Sequence, residues 1–430
     1  MKRYKKYKQV NLPWLREVPE HWGTEKIKRL FYISKDLSTK ENPVILSLAR
    51  DKVKVRDISN NKGQIAVDYS NYNKVEKGDL LLNPMDLYSG ANCNISYIEG
   101  VISPAYINLR NKVKLNKKYY DYWFKAQYTS LALQSVGKGV SKDNRWTLTN
   151  ETLLNYVTLT PPLSEQSQIA NFLDWKIGEI DRLVGLEKRK VERLGELYRK
   201  ILNNIFDNII GEKKRLKYIF SFGKGLGITK ENLGEYGYRC INYGEIHGKL
   251  KFSFSSKDKL LKGLSNVEGI TITEFANLSK GDFIFADTSE DLIGSGNFTF
   301  LEWLESEVYA GYHTIVCKPK IKFNSRFLAY QLESDLWRTQ IRKAVNGIKV
   351  YSITQQILKQ TSVVFPDLSI QENIVSKLDG IQDKLIDMKR CTETQITYLE
   401  QLKQSLISDV VTGKMDVREI EIPEKYRRES

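Results

Sequence analysis

From residue 177 to residue 205, apolar side chains return every three or four positions: Ile177, Ile180, Val184, Val191, Leu194, Tyr198, Ile201 and Ile205, interrupted only at Glu187. Such spacing keeps one stripe on one face of an α-helix and forms the seam of a coiled coil. The helix should start behind Pro161-Pro162, because the proline pair sets an extended approach and Ser164 is placed to cap the first turn. A second helix is predicted behind Pro366-Asp367, where Ser369 and Glu372 spell the S-x-x-E capping box. Each would run about 40 residues, roughly 60 Å, which is longer than a small domain is wide. Much of each must find a partner elsewhere, and the other helix is the obvious one.

The two helix starts are copies. Leu163, Ser164, Gln166, Ile169, Leu173 and Asp174 are answered 205 residues later by Leu368, Ser369, Gln371, Ile374, Leu378 and Asp379. The register runs on without a gap and pairs Leu183, Val191, Leu194, Leu197, Ile201 and Ile205 with Met388, Ile396, Leu399, Leu402, Leu406 and Val410. These twelve residues are expected to build the spacer coiled coil. Upstream, Leu148-Thr149 meets Ile353-Thr354 in the same register. Further back, residues 1–160 have α+β texture, with short β-rich runs at 43–48 and 78–83, a turn-rich piece at 59–63, and a helix from 119 to about 135. Residues 212–365 repeat it, with Lys280-Gly281-Asp282 echoing Lys77-Gly78-Asp79 and a helix from 325 to 343. The expected fold is therefore α+β: two pseudo-repeated globular domains separated by two long helices that pair as an antiparallel coiled coil. Its segments are 1–160, 161–211 (central spacer), 212–365, 366–415 (C-terminal spacer) and a charged tail at 416–430.

Composition narrows the function. Apolar residues at 41% and aromatics at 11% are enough to bury real cores, so the chain is globular. Sixty-seven Lys and Arg against 52 Asp and Glu leave +15, which favours a polyanionic partner through counterion release and a long-range attractive field. Four scattered cysteines, Cys93, Cys240, Cys317 and Cys391, and only three histidines argue against a zinc site and for reduced thiols in the cytoplasm. The basic N-terminus lacks the apolar stretch of a secretory signal, and no run is long enough to span a membrane.

An active site is not found. The glycines of 221–227 follow neither phosphate-loop nor dinucleotide spacing and are read as a turn opening the second domain. Asn83-Pro84-Met85-Asp86 has one proline where a nucleobase amino-methyltransferase would show two. Pro366-Asp367 with Glu372 could begin a nuclease metal site, but Ile374 stands where its lysine is required. His21, His247 and His313 have no sequence neighbours that complete a triad or ligand set, so each is read as a packed or surface imidazole.

The double phrase PPLSEQSQI at 161–169 and PDLSIQENI at 366–374 resembles the conserved-region start of the specificity subunits of Type I restriction-modification systems. Pro13-Trp14-Leu15 followed by Val18-Pro19-Glu20-His21-Trp22 is similar to that family's N-terminal signature, and SDVVTGK at 408–414 to its ending. The resemblance spans essentially the whole chain and departs from the pattern at one place, where Glu165 of the first copy becomes Ile370 in the second. It implies two target recognition domains, each reading one part of a split double-stranded DNA sequence, and conserved helices that pair antiparallel as a ruler and dock two methylation subunits. It also implies that the chain binds no cofactor of its own. S-adenosylmethionine would arrive with the methylation subunits, and ATP with magnesium would serve restriction subunits. Two readings from other classes remain: a self-sufficient DNA methyltransferase, which would bind S-adenosylmethionine as the isolated chain, and a coiled-coil adaptor without nucleic acid.

Base readout needs polar side chains at groove edges, and register needs Lys and Arg on phosphates, so polar loops with basic residues supply the candidates. In the first domain these are Lys35, Lys40, Tyr88, Ser89, Asn92, Lys138, Lys142, Asn144 and Arg145. In the second they are Lys224, Lys230, Asn242, Tyr243, Ser289, Ser295, Asn297, Lys349 and Tyr351.

Overall fold

The structure, a computed structural model, describes residues 2–38, 43–57, 68–85, 87, 93–139, 146–248, 250, 252–265, 269–345, 347 and 350–427. Four helices organise it: α1 (Lys117–Thr129), α2 (Leu163–Asp207), α3 (Ser325–Glu333) and α4 (Leu368–Val411). The chain divides into two compact units, Met1–Lys188 with Glu393–Ser430, and Arg189–Thr392. Each unit thus holds one part of α2 and one part of α4.

The units repeat one topology. In the first, a four-stranded antiparallel sheet runs in the order Phe31–Ser34, Ile107–Asn111, Leu80–Leu82, Cys93–Ile95. In the second, Phe220–Lys224, Thr314–Pro319, Phe283–Ala286 and Phe298–Trp303 follow the same order, and Phe252–Ser255 adds a parallel edge strand. The echo at Lys-Gly-Asp is a turn. Gly78 and Gly281 take φ of +87° and +90°, where a Cβ is strained. Asp79 and Asp282 accept from the backbone N–H of Glu76 and Ser279 at 2.9 and 2.8 Å. In each unit a two-stranded ribbon, Gly23–Lys26 with Val157–Thr160 and Glu212–Arg215 with Ser362–Phe365, joins the start of the head to its end just before the long helix. Thr149 and Thr354 cap matching short helices, accepting from Thr152 and Ile357 N–H at 3.1 and 3.2 Å. The helix predicted from 119 is interrupted because Leu131 turns left-handed, with φ 59°. The one predicted from 325 breaks at Ser334, whose extended backbone and hydroxyl bond to the Gln331 carbonyl end α3.

The long helices pair antiparallel within each unit. In the first, Ile169, Leu173, Ile177, Ile180 and Val184 of α2 share a core with Leu406, Val410 and partly buried Ile396 and Leu399 of α4, and Lys403 binds Asp181 at 2.6 Å. In the second, Leu202 and Phe206, with Tyr198 and Ile205 beside them, share a core with Val375 and Leu378. Val191, Leu194 and Ile201 are half-buried. Four residues expected in the seam are exposed instead: Leu183, Leu197, Met388 and Leu402 at 41, 49, 46 and 47%. Leu183 and Leu197 stand one position before Val184 and Tyr198, about 100° round the helix. Leu402 likewise precedes Lys403, which takes the seam position through its ion pair.

Neither serine caps its helix. Hydrogen bonds from Glu165 and Gln166 N–H to the Pro162 carbonyl, and from Ile370 and Gln371 N–H to the Asp367 carbonyl, place Ser164 and Ser369 inside the first turn. The repeated glutamine is the tie. Gln166 donates to the Pro161 carbonyl at 2.8 Å and accepts from Asn116 N–H at 2.9 Å, and Asn116 caps α1. Gln371 donates to the Pro366 carbonyl at 2.9 Å and accepts from Asn324 N–H at 3.0 Å, and Asn324 caps α3. One residue earlier the copies part. Buried Glu165 accepts from Tyr4 Oη, from His21 Nε2 at 2.8 Å and from Trp22 Nε1 at 3.1 Å, whereas Ile370 faces solvent. Burial first, and the Glu165 carboxylate second, push the Tyr4 phenol far above its usual range, so it stays a donor. The same N-terminal segment meets the end of α4: Tyr7 Oη donates to the Gly413 carbonyl at 3.0 Å and Asp416 N–H to the Lys2 carbonyl at 3.0 Å.

Candidate nucleic-acid interface

In the second unit, Thr288–Ser289 pairs antiparallel with Tyr351–Ser352, and Ile353 N–H donates to the Asp287 carbonyl at 2.7 Å. Thr288, Ser289 and Val350, with Tyr243, His247 and His313, line an open cleft of about 640 Å³. Tyr243, Ser289 and Asn297 are in its wall and Tyr351 is on the strand paired to Ser289, so the fold brings together four candidates spread over more than 100 residues of sequence.

The candidates do different work. Buried Ser289 and Ser295 both donate to the Asp291 carbonyl, at 2.7 and 3.4 Å, and so shape the loop. Asn242 is also buried. Its side chain accepts from Tyr312 N–H at 3.2 Å and donates to Glu245, which makes it a cap rather than a surface group. Lys224, paired to Ile315 at the end of its strand, and Lys230, in the turn Lys230–Asn232, are exposed. Two of the three glycines of 221–227 serve close packing: a Cβ on Gly223 would sit 2.2 Å from the Phe275 ring, and one on Gly225 2.1 Å from the Gly311 carbonyl, while Gly227 has open space around it.

In the first unit, Leu148 N–H donates to the Pro84 carbonyl at 2.8 Å, matching the Ile353 to Asp287 bond. The repeat thereby matches the chain at Pro84 and Leu148 to that at Asp287 and Ile353 in the second unit. Exposed Lys138 is bridged antiparallel to Thr147 there, and exposed Lys35 follows the strand Phe31–Ser34. Lys40, Tyr88, Ser89, Asn92, Lys142, Asn144, Arg145 and Lys349 lie outside the described residues.

The cleft holds groups that sequence spacing does not reveal. His247 Nε2 lies 2.7 Å from the Thr288 carbonyl, which can only accept, so this nitrogen carries the hydrogen. Nδ1 then accepts from Asn297 Nδ2 at 3.0 Å. Asn297 Oδ1 in turn accepts from Arg338 Nη1 at 3.2 Å, and Arg338 Nη2 binds Glu333 at 3.0 Å. His313 Nδ1 lies 3.1 Å from Asp287 Oδ1. Burial holds the Cys240 thiol up at about 12, which keeps it unreactive. Among the described residues no group of three or more His, Cys, Asp or Glu could hold a metal ion, and no helix is long and apolar enough to cross a membrane.

The two units thus repeat one α+β head, each continuous with parts of the same two long helices. Residues 211–398 match the family described as the Type I restriction modification DNA specificity domain. No curated relative matches the sequence. Among solved structures, a chain from work on complex assembly and conformational transition of the type I R-M system is similar over 93% of this chain and 99% of its own, at 14% identity and a TM-score of 0.70. The HsdS subunit from Thermoanaerobacter tengcongensis is similar over 93% and 98%, at 15% identity and a TM-score of 0.51. At these identities the likeness is one of fold, and it extends through both heads and both long helices.

Proposed function

We propose that the chain is the non-catalytic DNA-specificity subunit of a Type I complex, with one head reading each half of a bipartite target. The duplication carries this reading. Two heads with one topology and different loop chemistry, each continuous with the same pair of helices, suit two different base sequences at a set separation. The net charge of +15 supplies the phosphate attraction, and polar cleft groups supply the base contacts.

The same duplication supports docking of two copies of one partner, the methylation subunit. The exposed apolar residues fall in register: Leu183 and Leu402 in the first unit correspond to Met388 and Leu197 in the second, and all four are exposed to a similar degree. Methyl transfer with S-adenosylmethionine belongs to those partners, and ATP- and magnesium-dependent restriction to further subunits. The complex acts in the cytoplasm, where the DNA is. The test is genome-wide methylation mapping in cells carrying the chain and its methylation subunits, with methyl transfer by the purified chain measured alongside. A split motif and an inactive isolated chain are expected. Methyl transfer by the chain alone would overturn the reading.

A further inference from the structure

We propose that His313 is a base-reading residue of the second head, its Nε2 meeting the edge of one base pair; this rests on the reading of that head as a DNA-recognition domain. The backbone gives the first reason. His313 takes φ 55°, in the left-handed region that glycine occupies freely, and it is one of three non-glycine residues with positive φ among those described. The neighbouring structure fixes that conformation: His313 directly precedes the strand Thr314–Pro319, and its carbonyl accepts from Asp287 N–H at 3.1 Å. An imidazole therefore stands where glycine would fit best, a choice that backbone stability does not explain.

The ring is held without being buried. A carboxylate only accepts, so the Nδ1 that lies 3.1 Å from Asp287 Oδ1 carries the hydrogen. Tyr243 and Tyr312 meet the ring edge-to-face, with centroids 5.4 and 5.7 Å away and interplanar angles of 73° and 74°. Even so, the side chain is 53% exposed. A surface side chain fixed on three sides loses rotamer entropy without the return of core burial. That ordering is useful when the ring must meet a ligand in one pose.

The other imidazole in the cleft shows the contrast. His247 spends both nitrogens on the protein, on Thr288 and Asn297, and so forms the wall. At His313 only Nδ1 is spent, and among the described residues nothing bonds Nε2. His313 itself lines the cleft, together with Tyr243 and Asn297.

The experiment uses the full chain with its methylation subunits and maps methylated sites for the wild type, His313→Gly and His313→Asn. Glycine and asparagine both accept the left-handed backbone, so both variants should melt like the wild type. The expected result is an unchanged first half-site, an unchanged gap, and one base pair of the second half-site relaxed on the order of tenfold by His313→Gly. His313→Asn should alter preference at that same position. Motifs identical to the wild type in both variants would overturn the proposal, as would relaxation in both half-sites. Loss of all methylation by a variant that melts normally would also overturn it, since His313 would then anchor rather than read. If the wild type itself yields no split motif, the underlying reading fails, and that outcome is separate from the others.

Discussion

The starts of α2 and α4 share a phrase but not the word beside its glutamine. Gln166 and Gln371 make the same two bonds, each lashing its helix start to the cap of the head's own helix. Beside them, Glu165 gathers Tyr4, His21 and Trp22, while Ile370 meets water. The shared residue secures what both units must have, a head fixed to its helix. The differing residue secures what only the first unit has, the N-terminal segment, which also meets the residues just after α4.

The largest effect should come from writing the second word into the first copy. Glu165→Ile leaves the Tyr4 hydroxyl and Trp22 N–H buried without an acceptor and should destabilise the first unit by about 3 kcal/mol. The reciprocal Ile370→Glu, at an exposed position, should stay within about 0.5 kcal/mol. Urea denaturation of the full chain checks both, and equal costs would break the comparison. Next, Gln166→Ala and Gln371→Ala each remove two bonds at a buried side chain and should each cost about 2 kcal/mol. Here equality is the prediction, and a clear inequality in the same denaturation assay would show that the two ties are not equivalent.

A smaller contrast involves the repeated turn. Asp79 receives Arg110 through Nε at 3.0 Å and Nη2 at 3.0 Å together with Asn108, whereas Asp282 has Lys318 at 3.1 Å and the Ser279 N–H. Burial, only partly offset by those two donors, raises the Asp282 carboxyl above its ordinary value. A carboxyl raised in the folded state favours the protonated form. Its contribution is fully present below the unfolded value, near 3.9, and is lost as pH rises through the folded value. The stability of Asp282→Asn relative to wild type should therefore improve between pH 4 and pH 7, by about 1 kcal/mol or less, as read from melting curves across that range. An opposite slope would contradict the burial argument. Smallest in stability are Leu197→Asp and Leu402→Asp, each within about 0.5 kcal/mol because both sites are exposed. Each should nevertheless remove one methylation subunit, so the complex sediments lighter by one partner. Unchanged mass in both would sever the link between the register-matched apolar pairs and docking.

Much of this was legible in the sequence because repeats write themselves in register. The 205-residue offset located both long helices, and the Lys-Gly-Asp echo located the matching turn. What escaped were contacts between distant positions. Glu165 could not be matched to Tyr4, 161 positions away, nor Asn297 to His247, 50 away, because no local period encodes them. The serines misled for a local reason: the capping letters are present, but Pro162 and Asp367 already accept the first helical N–H groups, so each helix begins two residues sooner. The seam shifted at Leu183, Leu197 and Leu402 because a three-or-four spacing admits two adjacent stripes. Packing chose the one through Val184, Tyr198 and Lys403.

The central claim is that each head reads its own half of the target. The most direct test exchanges residues 212–365 for the corresponding segment of a relative with a different target and maps methylated sites genome-wide, with the methylation subunits present. One half-site should change to the donor's letters while the other half-site and the gap stay as they were. Changes in both half-sites, or in neither, would contradict the account.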